Sequence, residues 1–331
     1  MALQILILLA GLALVVLGAD WLVDGSSAIA RKAGLSEFVI GLTIVGIGTS
    51  MPEFVVSLTG ALKGSSDIAI GNVVGSNIFN VLLILGLSAV IRPIGISKTN
   101  LKQDIPLNLI VCLLLIVCGY HFTMFHLGGE DVLSRLDGII FLSLFLVYMY
   151  FSFKKGKEDA ALDKDGENAE KVRPLGVAIM MVIAGLAALV FGGDKFVDSA
   201  REIAGMLGIS DKVIAVTILA GGTSMPELVT CVVAALKKKD QLALGNIIGS
   251  NISNILLILG SSAVAYKRLP GGPGGLSFSG MNVVDLGVLF LSSLLLWSSA
   301  FTGKKDSVDR ADGVVYLACF VGYMIMLFTK L

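Results

Sequence analysis

Two glutamates occupy identical polar motifs inside otherwise apolar segments of the chain. Glu53 ends the six residues Gly-Thr-Ser-Met-Pro-Glu at 48–53, and Glu227 ends the same six at 222–227. An ionised carboxylate in the middle of a bilayer is unfavourable unless it is paired or faces a pathway. No lysine or arginine lies near either glutamate along the chain. The two carboxylates are therefore predicted to bind a cation that the protein itself does not supply. Protonated glutamates that only pack helices are the alternative, but packing does not require a second copy.

A proline precedes each glutamate. Because proline has no N–H, Pro52 cannot bond the carbonyl of Gly48, and Pro226 cannot bond that of Gly222. We expect each helix to break or kink here and to free carbonyl oxygens beside the carboxylate. Broken helices at membrane depth are tolerated where they line a cavity or lie within protein, and unwound carbonyls are ready ligands for hard cations.

A second polar motif lies downstream of each glutamate. It reads Gly-Ser-Asn-x-x-Asn and stands at 75–80 and 249–254. On a helix, Ser76, Asn77 and Asn80 share one face. Their hydroxyl and amide oxygens, with two carboxylates and several carbonyls, make up the all-oxygen ligand set that Ca²⁺ prefers. Interhelical hydrogen bonding is the competing role for these residues.

The charge and chemistry of the motifs narrow the choice of ion. Two carboxylates supply a charge of −2, which one Ca²⁺ or two Na⁺ can neutralise. Soft metals favour thiolate or imidazole ligands, and neither motif contains Cys or His. A protein that can bind either one Ca²⁺ or two Na⁺ at this site can exchange one for the other.

The motifs lie within ten segments long and apolar enough to cross a bilayer, which takes about 20 residues. The predicted spans are 3–24, 36–62, 67–91, 104–122, 135–153, 175–195, 211–236, 241–265, 282–302 and 310–329. Hydrophobic residues make up 55% of the 331 residues and charged residues 15%, which excludes a water-soluble domain. A net charge of zero gives no electrostatic footprint for nucleic acid. We therefore predict an all-α integral membrane protein surrounded by lipid.

The paired motifs belong to a duplication of the whole chain. Residues 46–86 and 220–260 align without a gap and share 23 of 41 residues, including polar residues that membrane helices avoid. The predicted parts are a first five-helix repeat at 1–153, a cytoplasmic linker at 154–174 and a second five-helix repeat at 175–331. Because five is odd, the second copy enters the membrane from the opposite side. This predicts two inverted repeats with broken helices 2 and 7, a plan in which secondary transporters bind substrate near the midplane.

Lysine and arginine are shared unevenly between the two sides of the predicted spans. The loops after spans 1, 3, 5, 7 and 9 carry 17 of the 25 basic residues, and the other side carries 8. Because cytoplasmic loops are the basic ones, both termini are predicted to lie outside the cytoplasm.

Acidic residues mark the ends of predicted spans 1 and 6. Asp20 and Asp24 match Asp194 and Asp198 at the offset of 174 that relates the two copies. A helix C-terminus disfavours negative charge. These aspartates therefore either pair with nearby bases such as Lys195 or guide cations to the mouth of the site.

At these motifs the chain resembles the short prokaryotic members of the sodium/calcium exchanger family, within the cation/calcium exchanger superfamily. The resemblance covers essentially the full chain. It implies a ten-helix antiporter of a prokaryotic inner (plasma) membrane, with no cofactor, that exchanges Ca²⁺ for Na⁺ by alternating access at a midplane site. Ca²⁺ would be bound by the side chains of Glu53 and Glu227 and by backbone carbonyls near Thr49 and Thr223. Na⁺ would use Ser50, Ser76, Asn80, Ser224, Ser250 and Asn254, with carbonyls at Gly46 and Ala220.

Two other functions compete with Na⁺/Ca²⁺ antiport. A Ca²⁺/H⁺ antiporter is possible because a carboxylate can release Ca²⁺ to protons, and a cation channel could use carboxylates and carbonyls in its pore. An enzyme is disfavoured because neither a nucleophile with its base nor a histidine accompanies the glutamates. One residue departs from part of the family, since some members carry Asp where this chain has Asn254. We therefore predict exchange that does not require K⁺.

Overall fold

The computed structural model describes residues 1–124, 130–162, 173–207, 220–268, 274–302 and 306–330. Most of this part of the chain is helical. The helices are α1 (Ala2–Ala33), α2 (Glu37–Thr49), α3 (Met51–Leu62), α4 (Ser66–Ile91), α5 (Asn100–Gly119), α6 (His121–Met124), α7 (Arg135–Leu162), α8 (Leu175–Met206), α9 (Ala220–Gly222), α10 (Met225–Leu236), α11 (Asp240–Ala265), α12 (Val283–Ser299) and α13 (Arg310–Lys330). The strands are β1 (Ile94–Gly95), β2 (Val132–Leu133), β3 (Leu276–Ser277) and β4 (Ser307–Val308).

Seven of these helices are long and apolar enough to cross a bilayer, namely α1, α4, α5, α7, α8, α11 and α13. The helices α2 and α3 form a bent pair that counts as an eighth span. Two shorter apolar helices, α10 and α12, lie at predicted spans 7 and 9. Residues 208–219, which include the start of predicted span 7, lie outside the described residues. The prediction of an all-α protein with several helices long and apolar enough to cross a membrane is thus confirmed, and the exact number of ten stays a prediction.

Three helices continue beyond their predicted ends. Helix α1 runs on to Ala33 and stops where Gly34 adopts the left-handed conformation at φ 61°, which glycine tolerates best. Helix α8 continues to Met206, and α7 continues to Leu162, within the predicted linker. The remaining linker residues 163–172 lie outside the described part of the chain. As a consequence, Asp20 and Asp24 lie within α1 and not at its end.

Cα packing divides the chain into two compact units. The first unit contains residues 1–52 and 151–249, and the second contains residues 53–150 and 250–331. Each unit therefore contains segments of both sequence copies.

In the first unit, α1 and α8 pack antiparallel through pairs of glycines. A Cβ added at Gly18 would lie 2.8 Å from the carbonyl oxygen of Gly185, and one added at Gly11 would lie 2.9 Å from that of Gly192. Small residues of this kind let the backbones of membrane helices approach closely. The two glycine pairs exchange with each other under the offset of 174.

The first unit also packs α2 closely against the beginning of α11. A Cβ added at Gly41 would lie 2.5 Å from the carbonyl oxygen of Leu242, and one at Gly245 or Gly249 would strike the backbone of Phe38 or Leu42. Gly245 and Gly249 therefore cannot carry a side chain unless the backbone of α2 moves away.

The second unit repeats this kind of contact with a different set of helices. Gly86 of α4 meets Gly313 of α13, and Gly138 of α7 meets Gly260 of α11. These two pairs also exchange when one sequence copy is laid on the other. Two antiparallel ribbons, β1 with β4 and β2 with β3, lie in the same unit. Reciprocal contacts of this kind are expected for two copies related by a two-fold axis, and the inverted repeat itself stays a prediction.

Candidate functional site

The helix break expected at each proline is present at the same place in both copies. Ser50 stands between α2 and α3 with φ −81° and ψ 9°, and the two helices are bent by 50°. Ser224 precedes α10 with nearly the same backbone, φ −89° and ψ 9°. Each glutamate consequently lies in the first turn of a new helix, where the helix dipole favours a negative charge.

Glu227 belongs to the first unit and is only 1% exposed. Its Oε1 atom accepts a hydrogen bond of 2.8 Å from the hydroxyl of Ser50. Its Oε2 atom is buried and has no hydrogen-bond partner among the described residues. A buried carboxylate oxygen without a partner is unfavourable, so this atom is suited to a cation.

Thr49 lies beside Ser50 and is fully buried. Its hydroxyl is 3.2 Å from Oδ1 of Asn246 and 3.4 Å from the carbonyl oxygen of Gly46. The same carbonyl accepts a hydrogen bond of 3.2 Å from the backbone N–H of Ser50. Thr49 and Gly46 thus form the last turn of α2, whose C-terminal end carries the negative pole of the helix dipole.

Glu53 belongs to the second unit and is also 1% exposed. Ser76 Oγ donates a long hydrogen bond of 3.4 Å to its Oε1 atom. The Nδ2 atom of Asn72 donates to the backbone carbonyl of Glu53 at 3.1 Å and to Ser57 Oγ at 2.9 Å. Helix α4 therefore supplies both a hydroxyl for the carboxylate and an amide that holds the start of α3.

Four asparagines of the second unit form a set that we call the asparagine quartet: Asn77, Asn80, Asn251 and Asn254. Asn80 Nδ2 donates to Asn251 Oδ1 at 3.0 Å, and Asn254 Nδ2 donates to Asn77 Oδ1 at 2.9 Å. All four are at most 1% exposed. Within the described residues, the Oδ1 atoms of Asn80 and Asn254 have no hydrogen-bond partner, so both amide oxygens remain available as ligands.

The other residues named from the sequence also lie near the helix breaks or on the buried helices. Ser224 is the residue immediately before α10. Both Ser224 and Ser250 are fully buried. The hydroxyl oxygen of Thr223 is buried without a hydrogen-bond partner in the described part of the chain. Ala220 begins α9, one turn before this break.

The donor chemistry of these groups fits a hard cation. Among the described residues, no three His, Cys, Asp or Glu side chains form a group that could hold a metal ion. The unpartnered oxygens come instead from one carboxylate, one hydroxyl and two amides, together with carbonyls at the helix breaks. Such neutral and anionic oxygens suit Ca²⁺ and Na⁺ better than soft metals.

Several features of the site were not predicted from the sequence. Residues Phe79–Leu85 and Asn254–Leu259 are π-helical, so the helix widens at Asn80 and Asn254. Short π-helical segments occur often at functional sites, but no residue pattern announces them here. The contact of Thr49 with Asn246 was also not predicted, although Asn246 lies within the duplicated segment 220–260.

The aspartates of α1 form ion pairs with partners that the sequence did not indicate. Lys237 Nζ lies 2.7 Å from Asp20 Oδ1 and 2.5 Å from Asp24 Oδ1, and Arg173 contacts Asp24 at 3.2 Å. Of the two roles considered for Asp20 and Asp24, the structure thus supports pairing with bases. Lys195 lies instead over the ring of Phe191.

The seven long apolar helices, together with the two helix breaks that each place a buried glutamate at the start of a helix, are those of an integral membrane protein of the transporter class. The family model described as sodium/calcium exchanger protein matches residues 3–154 and 177–329. The chain therefore belongs to the sodium/calcium exchanger family, whose members are exchangers and not enzymes.

Curated relatives and solved structures match this chain over nearly its full length. The chain is 38% identical to the membrane protein MJ0091 of Methanocaldococcus jannaschii over 95% of this chain and 94% of that protein. It is 35% identical to the sodium/calcium exchanger MaX1 of Methanosarcina acetivorans over 98% of each. A solved structure of the sodium-calcium exchanger NCX_Mj, soaked with Na⁺ and Sr²⁺, superposes with a TM-score of 0.81 at 35% identity and covers 98% of each chain. Cation antiport that includes Ca²⁺ follows from this membership, with the ions as substrates and no cofactor.

Proposed function

We propose that the protein exchanges Ca²⁺ for Na⁺ across the membrane by alternating access. The observation that carries this proposal is the state of Glu227: a carboxylate that is 1% exposed, hydrogen-bonded through one oxygen to Ser50, and without a hydrogen-bond partner at the other oxygen among the described residues. A cation is the group that would relieve both the charge and the missing contact.

We assign the ions to oxygens of both copies. Ca²⁺ takes the side chains of Glu53 and Glu227 with carbonyls near Thr49 and Thr223. Na⁺ takes the larger set of neutral oxygens, which are those of Ser50, Ser76, Asn80, Ser224, Ser250 and Asn254, with the carbonyls of Gly46 and Ala220. Support comes from the burial of these side chains and from the unpartnered oxygens of Thr223, Asn80 and Asn254.

The proposed mechanism uses the duplication. The two copies are related as inverted repeats of five spans, and exchange of their roles opens the site to either side. The reciprocal glycine contacts and the antiparallel packing of α1 with α8 support this relation. By the distribution of basic residues, both termini lie outside the cytoplasm of a prokaryotic inner membrane.

Uptake of ⁴⁵Ca²⁺ into proteoliposomes tests the function. Vesicles loaded with Na⁺ and diluted into Na⁺-free buffer, with pH clamped equally on both sides, should accumulate Ca²⁺ until the Na⁺ gradient is spent. Vesicles with equal Na⁺ on both sides are the control and should show only tracer equilibration. Accumulation driven by a proton gradient at equal Na⁺ would contradict Na⁺ coupling and favour Ca²⁺/H⁺ antiport.

A second measurement separates an antiporter from a channel. A channel would pass Ca²⁺ with no counter-ion inside the vesicle, at currents far above turnover rates. We expect vesicles that contain only choline to take up no Ca²⁺ beyond the protein-free background.

A further inference from the structure

The asparagine quartet separates two kinds of amide. Asn80 and Asn254 are ligands in the function proposed above, and this inference rests on that assignment. Asn77 and Asn251 are not among the proposed ligands, yet they are equally buried and contact the ligand amides directly. Their role is therefore open.

An amide side chain has two different ends. One end carries two N–H donors and the other a carbonyl acceptor, and only the acceptor end can bind a cation. Which end faces an ion depends on what holds the opposite end. In this structure Asn80 Nδ2 donates to the side-chain Oδ1 atom of Asn251 at 3.0 Å. Asn254 Nδ2 donates to the side-chain Oδ1 atom of Asn77 at 2.9 Å. If the side-chain amide of Asn80 or Asn254 alone were turned over, its Oδ1 atom would face the Oδ1 atom of its partner and its N–H groups would face the ion.

Asn77 is itself held in one orientation. Its Nδ2 atom donates to the backbone carbonyl of Asn251 at 3.1 Å. A backbone carbonyl can only accept, so this bond directs the Oδ1 atom of Asn77 toward Asn254. The Nδ2 atom of Asn251 has no hydrogen-bond partner among the described residues, so Asn251 and Asn80 orient each other through the one bond from Asn80 Nδ2 to Asn251 Oδ1.

We infer that Asn77 and Asn251 are positioning residues, which keep the amide oxygens of Asn254 and Asn80 directed toward the transported ion. The two bonds exchange with each other under the offset of 174, so each sequence copy orients the ligand amide of the other. This explains why both asparagines of the Gly-Ser-Asn-x-x-Asn motif occur in both copies. The first orients and the second binds.

A double-mutant cycle tests the inference, because a carboxylate has two oxygens and no donor end. Asn77→Leu keeps the shape of the side chain and removes the acceptor for Asn254. In the wild-type background we expect Asn77→Leu to weaken Na⁺ binding by about tenfold or more, as expected when a buried donor loses its partner. In the Asn254→Asp background the same change should alter binding by less than about threefold, since Asp needs no orientation. Binding is measured by calorimetric titration of Na⁺ into the purified full chain.

The chain offers a matched second cycle and a control. Asn251→Leu with Asn80→Asp should behave in the same way and gives the answer independently if Asn77→Leu does not fold. Asn108→Leu removes a buried amide of the same unit that bonds Ser293 at 3.1 Å. Its effect should be the same in the wild-type and Asn254→Asp backgrounds.

Three results would overturn the inference. The first is an equal loss of Na⁺ binding for Asn77→Leu in both backgrounds, which would indicate packing alone. The second is unchanged Na⁺ binding in both the Asn77→Leu and the Asn251→Leu single variants. The third is a wild-type chain that does not bind Na⁺. Failure of the proposed function is distinguishable, because it is read from Na⁺-driven ⁴⁵Ca²⁺ uptake by the wild type. A chain that binds Na⁺ but accumulates no Ca²⁺ when a Na⁺ gradient is imposed would refute Na⁺ exchange and leave the cycle readable through Na⁺ binding.

Discussion

Ser50 donates a hydrogen bond of 2.8 Å to Oε1 of Glu227, which stands 177 positions further along the chain. The hydroxyl comes from the first copy of the duplicated motif and the carboxylate from the second. Both side chains are at most 2% exposed. The two copies of the motif thus complete one another in the folded protein, and neither forms this contact alone.

Replacement of Ser50 by Ala should weaken Ca²⁺ binding by about tenfold, because a hydrogen bond to a buried charged group contributes roughly 1.5–3 kcal/mol. Calorimetric titration with Ca²⁺ measures the change. Ser143→Ala is the control, since Ser143 is an exposed residue whose hydroxyl donates to the carbonyl of Ile139 within its own helix. Equal affinities for wild type and Ser50→Ala would show that this bond does not prepare Glu227 for an ion.

Replacement of Glu53 or Glu227 by Gln should abolish Ca²⁺ exchange. Each change leaves a single carboxylate to balance the two positive charges of Ca²⁺. The site is buried, so water cannot solvate the charge that remains unbalanced. Exchange is measured as Na⁺-driven ⁴⁵Ca²⁺ uptake, with Glu158→Gln on the exposed face of α7 as the control. Near-normal uptake by both Gln variants would refute the site.

Replacement of Pro52 by Ala should slow transport while the protein still folds. Alanine restores the N–H that proline lacks, so the helix can close across the break at Ser50 and occupy a carbonyl oxygen of α2. The measurements are the initial rate of uptake and the melting temperature. Pro174→Ala serves as the control, because Pro174 precedes the first turn of α8, where the missing N–H has no helical partner. An unchanged rate for Pro52→Ala would show that transport does not need the break.

Substitution of Gly245 or Gly249 by Ala should destabilise the protein. At both glycines the added Cβ would strike the backbone of α2, and backbone cannot move as a flexible side chain can. Gly287→Ala on α12 is the matched control, since no described atom lies within 4 Å of its added Cβ and alanine favours a helix over glycine by up to about 1 kcal/mol. Thermal unfolding in detergent measures the difference, and melting temperatures that rise equally in all three variants would contradict the close approach.

Exchange should not require K⁺. A site with three carboxylates could carry a further monovalent ion with Ca²⁺, whereas two carboxylates are already neutralised by the divalent ion. Asn254 presents a neutral amide where some relatives have Asp, so this chain lacks the third charge at that position. The measurement is Ca²⁺ uptake with K⁺ replaced by choline at fixed Na⁺. Loss of uptake without K⁺ would refute the argument from Asn254, and Asn254→Asp should change sensitivity to monovalent ions or protons while Ca²⁺ binding persists.

Local chemistry was enough to predict several features of the site. Proline at 52 and at 226 lacks an N–H whatever surrounds it, and the helix is broken beside each. The apolar length of each predicted span is also a property of the chain alone, although helix ends such as Ala33 and Met206 lie beyond the predicted ones. Those extensions contain Ala, Arg, Lys and Glu, which favour helix, but their charged and polar residues make them too hydrophilic to be predicted as part of a membrane span.

The spacing of glycines in the sequence indicates a close contact for α1 and α8. Gly11 and Gly18 are seven residues apart, as are Gly185 and Gly192, and a heptad of glycines is typical of a close helix crossing. The partners of each glycine still depend on the direction in which the helices pack.

The sequence by itself determined the membrane-spanning character, the duplication and the residue types of the ion site, because these depend on hydrophobicity, identity and side-chain chemistry. Only the tertiary structure decided which groups meet: Ser50 with Glu227, Asn80 with Asn251, and Lys237 with Asp20 and Asp24. The physical reason is that a hydrogen bond or ion pair acts over about 3 Å, whereas these partners are separated by well over a hundred residues. Helix packing brings them together, and it is governed by small residues and shape that no local pattern encodes.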